Sequence, residues 1–173
     1  ESRGLGDVYK RQVLLWGNRY ECCCCGKSSR RFLSHGNLGL RKNIKCPHCL
    51  SLERTRILCM YIKNEIFKSG IQPMRVLHFA PVKGLKDFLK NSPYVSTYID
   101  ADLNPNVATY QADMTRMPYE DNSFDLLICS HILYCIPEDR KAMQEIHRVL
   151  RPGGKALIVD TIEGDTTREL SHL

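Results

Sequence analysis

The chain has no apolar run approaching the roughly 20 residues that a membrane-spanning helix needs, and no apolar N-terminal stretch resembling a signal peptide. No membrane partner is expected, and the protein is read as cytoplasmic. A Gly-x-Gly-x-x-Gly turn is also missing, which argues against an NAD-dependent oxidoreductase. Aromatic residues make up only 8% of the chain and are sparse in its basic N-terminal part, so a base-stacking platform is hard to build there. Cysteine, by contrast, is abundant, with nine residues. Without a signal peptide, their paired C-x-x-C spacings favour a bound metal over disulfides. The 173 residues suit one domain, or one domain with a small appendage, and 43% apolar content is enough for a core.

Charge divides the chain in two. Residues 13–70 carry 11 Lys/Arg against 3 Asp/Glu, whereas residues 71–173 carry 11 against 14. Residues 1–12, including Asp7-Val8-Tyr9-Lys10-Arg11-Gln12, resemble a translated sequencing-adapter end and are set aside as a non-native segment. The remainder is expected to divide into a zinc ribbon at 13–52, a linking helix at 53–72 and a cofactor-binding domain at 73–173, truncated at its C-terminal end.

Cys22 and Cys25 frame one C-x-x-C followed by Gly26, and Cys46-Pro47-His48-Cys49 repeats the spacing after 20 intervening residues. Two tight turns, each presenting two thiolates, match a tetrahedral structural Zn2+ site that organises a segment too short for a core of its own. Cys23 and Cys24 offer other ligand pairs, but Cys22 and Cys25 reproduce the second turn. His35 and His48 are alternative ligands or solvent-facing side chains. Cys59, Cys129 and Cys135 lie in apolar surroundings and read as buried packing residues.

Lys27, Arg30, Arg31, Arg41, Lys42 and Lys45 lie between the two turns. They read as a solvated basic face or a dock for the acidic domain; contact with a nucleic-acid backbone is the competing role. From Ser51, a candidate N-cap, apolar residues at 57, 58, 61, 62 and 66 follow a helical period to Gly70. Arg54 and Arg56, in the first turns, face the knuckle, an anionic ligand or solvent.

The second half alternates strands and helices. Strands are expected at 75–80, 94–102, 110–113, 124–130 and 155–160, with one helix after Gly84. A second begins at Pro137, with Ala142, Met143, Ile146, Val149 and Leu150 as its apolar face. That order predicts an α/β, Rossmann-like doubly wound parallel sheet beside a four-cysteine zinc ribbon. Asp102, ending the second strand, is placed for a carboxylate to accept two ribose hydroxyls, or for a turn before Asn104-Pro105. Asp100 lies two residues deeper. Asp113 reads either as an acceptor for an adenine amino group or as a turn residue. Ser130 and His131 end the fourth strand, where they line the cleft; His131 reads equally as a structural histidine.

The ordered set FLSHG (32–36), CPHCLSLER (46–54), HFAP (78–81), ADLNP (101–105), QAD (111–113) and EIHRVLRPGG (145–154) resembles class I S-adenosylmethionine-dependent methyltransferases carrying an N-terminal zinc ribbon. The resemblance spans about Cys22 to Thr161. It implies S-adenosyl-L-methionine as donor, with Phe79, Ala80, Gly84, Asp102, Leu103, Asp113, Met114 and Ser130 around it. It further implies methyl transfer to a small-molecule or glycan-like acceptor, whose determinants would lie in strands six and seven beyond Leu173. The alternative is a zinc-ribbon nucleic-acid-binding protein with a degenerate, non-catalytic sheet domain. The first turn departs from the family pattern, reading His78-Phe79-Ala80-Pro81-Val82-Lys83-Gly84 where most members have an acidic residue and then Gly-x-Gly-x-Gly. No catalytic base and no oligomeric state follow from the sequence.

Overall fold

The computed structural model describes residues 13–36, 39–68 and 73–160, and the chain divides into two compact units. The first comprises residues 1–70 and 82–92. The second comprises residues 71–81 and 93–173. The adapter-like segment and the residues after Asp160 lie outside the described residues.

In the first unit, β1 (Tyr20–Glu21) pairs antiparallel with β2 (Ser28–Ser29), and the first cysteine turn joins them. Its backbone closes through Cys22 N–H to Lys27 O at 3.1 Å and Gly26 N–H to Cys22 O at 2.7 Å. The second turn follows the antiparallel pair β3 (Leu33–His35) and β4 (Arg41–Lys45) and closes in a similar way: Leu50 N–H reaches Cys46 O at 3.0 Å. Gly26 and Leu50, each directly after the second cysteine of its turn, both take positive φ, 68° and 62°. The left-handed position that glycine fills without strain in one turn is filled by leucine in the other.

Helix α1 (Glu53–Tyr61) continues as a single π-helical stretch, Ile62–Ile66, and buries Thr55, Leu58, Cys59, Ile62 and Ile66. Ile57 and Tyr61, expected on that face, are exposed. Ser51 does not cap α1. The N-cap position is Leu52, with no side-chain cap, because the Ser51 hydroxyl is buried among the cysteine sulfurs. Helix α2 (Lys83–Lys90) belongs to this unit and buries Gly84, Leu85 and Leu89, while Phe88 stacks on Phe67 with ring centroids 6.0 Å apart.

The second unit is a five-stranded parallel sheet in the order β7-β6-β5-β8-β9, formed by β5 (Met74–Phe79), β6 (Val95–Asp102), β7 (Tyr110–Gln111), β8 (Phe124–Ser130) and β9 (Leu150–Val159). The Rossmann-like reading is correct. The central strands β5 and β8 are buried almost throughout, which is why they read as unbroken apolar runs rather than alternating ones. Helix α3 (Asp139–Val149) packs Ala142, Ile146 and Val149 into a core with Leu77, Phe124 and Leu127. Met143, expected on the apolar face, is exposed, as is Cys135 in the 3-10 turn Leu133–Cys135.

Strand β9 starts at Leu150, five residues before the expected Lys155. Phe124 pairs with Leu150 and Leu126 pairs with Lys155, so Arg151-Pro152-Gly153-Gly154 bulges opposite the single residue Asp125. Gly153 takes φ 81°, and a Cβ on Gly154 would lie 2.8 Å from the Arg151 carbonyl oxygen. The Asp125 carboxylate, buried beside the bulge, accepts the Arg75 N–H at 2.7 Å and pairs with Arg151 at 2.9 Å.

Candidate functional site

The first unit gathers Cys22, Cys25, Cys46 and Cys49 so that all four sulfurs lie within 4.8 Å of one another. Cys22 Sγ and Cys49 Sγ are 3.7 Å apart, and Cys25 Sγ and Cys46 Sγ 3.9 Å. Zn–S bonds of about 2.3 Å in a tetrahedron place sulfurs about 3.8 Å apart, so the donor set fits zinc in both chemistry and spacing. Burial pushes the Cys25 thiol up to about 11, and thiol hydrogen bonds from Cys24, then Cys46 and Cys49, hold Cys22 below its ordinary value. A divalent cation among them would favour thiolates and release protons on binding.

Neighbouring groups hold this cluster. The Ser51 hydroxyl lies 3.1 Å from Cys49 Sγ and 3.4 Å from Cys22 Sγ, and the His48 N–H points at Cys46 Sγ at 3.4 Å. A serine after the second C-x-x-C could have been read as a sulfur partner; its position before a helix suggested a cap instead. His48 is half-buried: its Nε2 lies 3.1 Å from Ser29 Oγ and 3.2 Å from the Ser28 carbonyl oxygen, tying the second turn to β2. Arg56 turns towards the knuckle, donating to Ile44 O at 2.8 Å and Ser51 O at 2.9 Å, with its guanidinium over Phe32 at 4.7 Å. Phe32 is therefore buried and unavailable for stacking on a base.

In the second unit, strand register brings most of the remaining candidates to one edge. Phe79 pairs with Ala101 on one side and Cys129 on the other. One step further along each strand come Ala80, Asp102 and Ser130, and Asp102 in turn pairs with Gln111, two residues before Asp113. This is the carboxyl end of the sheet, and chain order reverses there between β5 and β8, where open α/β sheets form their ligand crevice. Each central strand is followed directly by a non-glycine residue with positive φ: Ala80 at 46° and His131 at 58°. Ala80 N–H bonds to Ala101 O at 3.1 Å, and His131 N–H to Val159 O at 2.7 Å.

The individual side chains differ in what they offer at that edge. Asp102 is half-buried, and its Oδ1 accepts the Asn104 N–H at 2.8 Å. Asp113 is exposed, and its Oδ1 accepts both the N–H and the hydroxyl of Thr115 at 2.8 Å. Each thus shapes a turn with one oxygen. Asp100 is buried and engaged by the Thr109 N–H at 3.0 Å and the Thr109 hydroxyl at 2.9 Å, so it is a structural group. Phe79 and Met114 bury their side chains in the sheet core, and Leu103 is exposed. Gly84 lies in the first unit, where a Cβ would meet Ser51 Cβ at 2.9 Å and Cys49 Sγ at 3.6 Å.

The loop carrying Asp113 and Met114 is fastened by two residues of the EIHRVLRPGG stretch. Glu145 Oε2 accepts the Met117 N–H at 2.7 Å, and Arg148 donates to Tyr119 O at 2.7 Å and Met117 O at 3.0 Å. Arg148 also pairs with Glu145 and Asp121, each at 2.7 Å. The guanidinium beside it holds the Glu145 carboxyl below its ordinary value.

Residues 86–158 match the methyltransferase-domain family model. This segment is therefore similar to methyltransferase domains. A demethylmenaquinone methyltransferase of Staphylococcus epidermidis is 36% identical over 80 residues, covering 46% of this chain and 32% of that protein. A 2-phytyl-1,4-naphtoquinone methyltransferase of Nostoc punctiforme is 39% identical over 56 residues, covering 32% of this chain and 24% of its own length. The chain thus spans about a third or less of these curated relatives. The fold agrees with the crystal structure of a candidate methyltransferase from Bacillus halodurans C-125: TM-score 0.52 at 21% identity, over 60% of this chain and 52% of that one. Among the described residues no helix is long and apolar enough to cross a membrane.

Proposed function

We propose that the sheet unit binds S-adenosyl-L-methionine and that the protein transfers its methyl group to a small-molecule acceptor. The observation that carries this reading is the alignment of Ala80, Asp102 and Ser130 along the carboxyl edge at the switch point, with Asp102 and Ser130 inside the segment that the methyltransferase-domain model matches. Asp102 accepts the ribose hydroxyls through the oxygen its turn leaves open, since only Oδ1 is engaged by Asn104. Asp113 does the same for the adenine amino group, and Met114 supports the ring through its backbone. Ser130 faces the methionine portion of the donor.

Methyl transfer from a sulfonium breaks one carbon–sulfur bond and forms one bond to the acceptor, and the thioether leaves uncharged. Alignment can therefore supply most of the barrier reduction, and no acid or base on this chain is required to assist departure. The two relatives described above are named for quinone-type acceptors, so a planar aromatic acceptor of that class is the first to assay. Zn2+ in the four-cysteine cluster is structural: all four protein ligands are present, and no position is left open for substrate.

Calorimetric titration of the full chain with S-adenosyl-L-methionine tests the reading. Saturable heat at one site per chain is expected. An absence of heat at millimolar donor, with the protein folded by circular dichroism, contradicts it.

A further inference from the structure

Two more cysteines meet beside the four-cysteine cluster, and they belong to no ligand set. Cys24, in the first turn, is 7% exposed, and Cys59, on α1, is fully buried. Their sulfurs are 2.7 Å apart. That separation is too short for two ligands of one zinc ion, which lie about 3.8 Å apart. It is close to the roughly 2.05 Å of a disulfide, so only a small approach separates the pair from bonding. Cys23, the other cysteine of the run outside the cluster, instead directs its thiol to Arg56 O at 3.3 Å.

We propose that Cys24 and Cys59 are an oxidisable thiol pair that forms an intramolecular disulfide, with hydrogen peroxide as the oxidant, while the four-cysteine cluster keeps its metal. Cys24, the more exposed of the two, takes the first step. Its sulfur attacks peroxide, the O–O bond breaks, a sulfenic acid forms and water leaves. The Cys59 sulfur then displaces the sulfenic hydroxyl, which leaves as a second water with the Cys59 proton. In total, two thiols and one peroxide give one disulfide and two waters.

The bond would join the first cysteine turn to α1. Cys24 lies between Cys22 and Cys25 in the chain, so pinning it restrains the backbone that presents both ligands. A bridge at this point slows opening of the metal site rather than destroying it.

The test loads the full chain with one equivalent of Zn2+, treats it with hydrogen peroxide at low molar excess, alkylates it and maps tryptic peptides. Zinc content is measured on the same samples, so failure of metal loading is read separately from failure of the bridge. A cross-link between peptides 20–27 and 57–63 is expected, with two fewer alkylatable thiols per chain, zinc retained and zinc loss to a chelator at least threefold slower. Cys24→Ala and Cys59→Ala should each abolish that cross-link. Mapping the unsubstituted chain decides the matter even if a variant fails to fold. Cross-links to peptide 46–54 accompanied by zinc release, or Cys24 and Cys59 both remaining alkylatable, would overturn the proposal.

Discussion

The Glu145 carboxylate accepts the Met117 backbone N–H at 2.7 Å, so a helix residue fixes the loop that carries Asp113. Glu145 is held ionised by Arg148 and lies mostly out of solvent. Its folded pKa is below the ordinary carboxyl value of about 4.3, so its stabilisation is present above that pH and is lost as pH falls through the folded value. Glu145→Gln should cost about 1 kcal/mol at pH 7 by denaturant unfolding, with one hydrogen bond to a charged group weakened. The difference from the unsubstituted protein should shrink below about pH 4, where the carboxylate protonates.

Ala80 pays for its left-handed backbone where the family pattern has glycine nearby. Ala80→Gly should stabilise the sheet unit by about 0.5–1 kcal/mol, the relief of positive φ exceeding the added chain entropy. Ala80→Val should destabilise it, because a β-branched residue resists φ 46° more strongly. Paired urea titrations separate the two outcomes by sign.

Gly84 faces the metal cluster's serine. A methyl group there would lie 2.9 Å from Ser51 Cβ, which cannot rotate away. Gly84→Ala should therefore destabilise the first unit by about 1–2 kcal/mol, overpacking outweighing the helix-propensity gain of about 1 kcal/mol. Greater stability in the variant would show that the close approach is relieved without cost.

Ser51→Ala removes the hydroxyl beside Cys49 and Cys22 without touching a ligand. Zinc affinity, measured by competition with a chromophoric chelator, should fall about tenfold. Cys46→Ser should abolish stoichiometric binding at the same metal concentration, since it removes one of the four soft ligands.

The alternating strands and helices were legible because β5 and β8 are buried runs bounded by Pro73, Pro81 and polar residues, and because each C-x-x-C announced its own turn. The start of β9 was not legible: Arg151-Pro152-Gly153-Gly154 reads as a helix stop, yet it lies within the strand as a bulge whose geometry depends on Asp125 across the sheet. Ser51 was not legible as a sulfur partner because, beside the neighbouring Cys49, the second sulfur it meets belongs to Cys22, distant in the sequence. Local pattern identifies elements. Which side chain turns inward also depends on partners far along the chain, as with Ser51 and Cys22, 29 positions apart.

Asp102 tests the central claim most directly. Asp102→Asn keeps an oxygen to accept the Asn104 N–H, so the turn should survive while the charge that favours ribose hydroxyls is lost. Calorimetry with S-adenosylhomocysteine on the full chain should show one site, with affinity at least about tenfold weaker in the variant, consistent with losing one charged hydrogen bond. Equal affinity in both proteins, or no binding to the unsubstituted chain, would contradict a donor site at the carboxyl edge of this sheet.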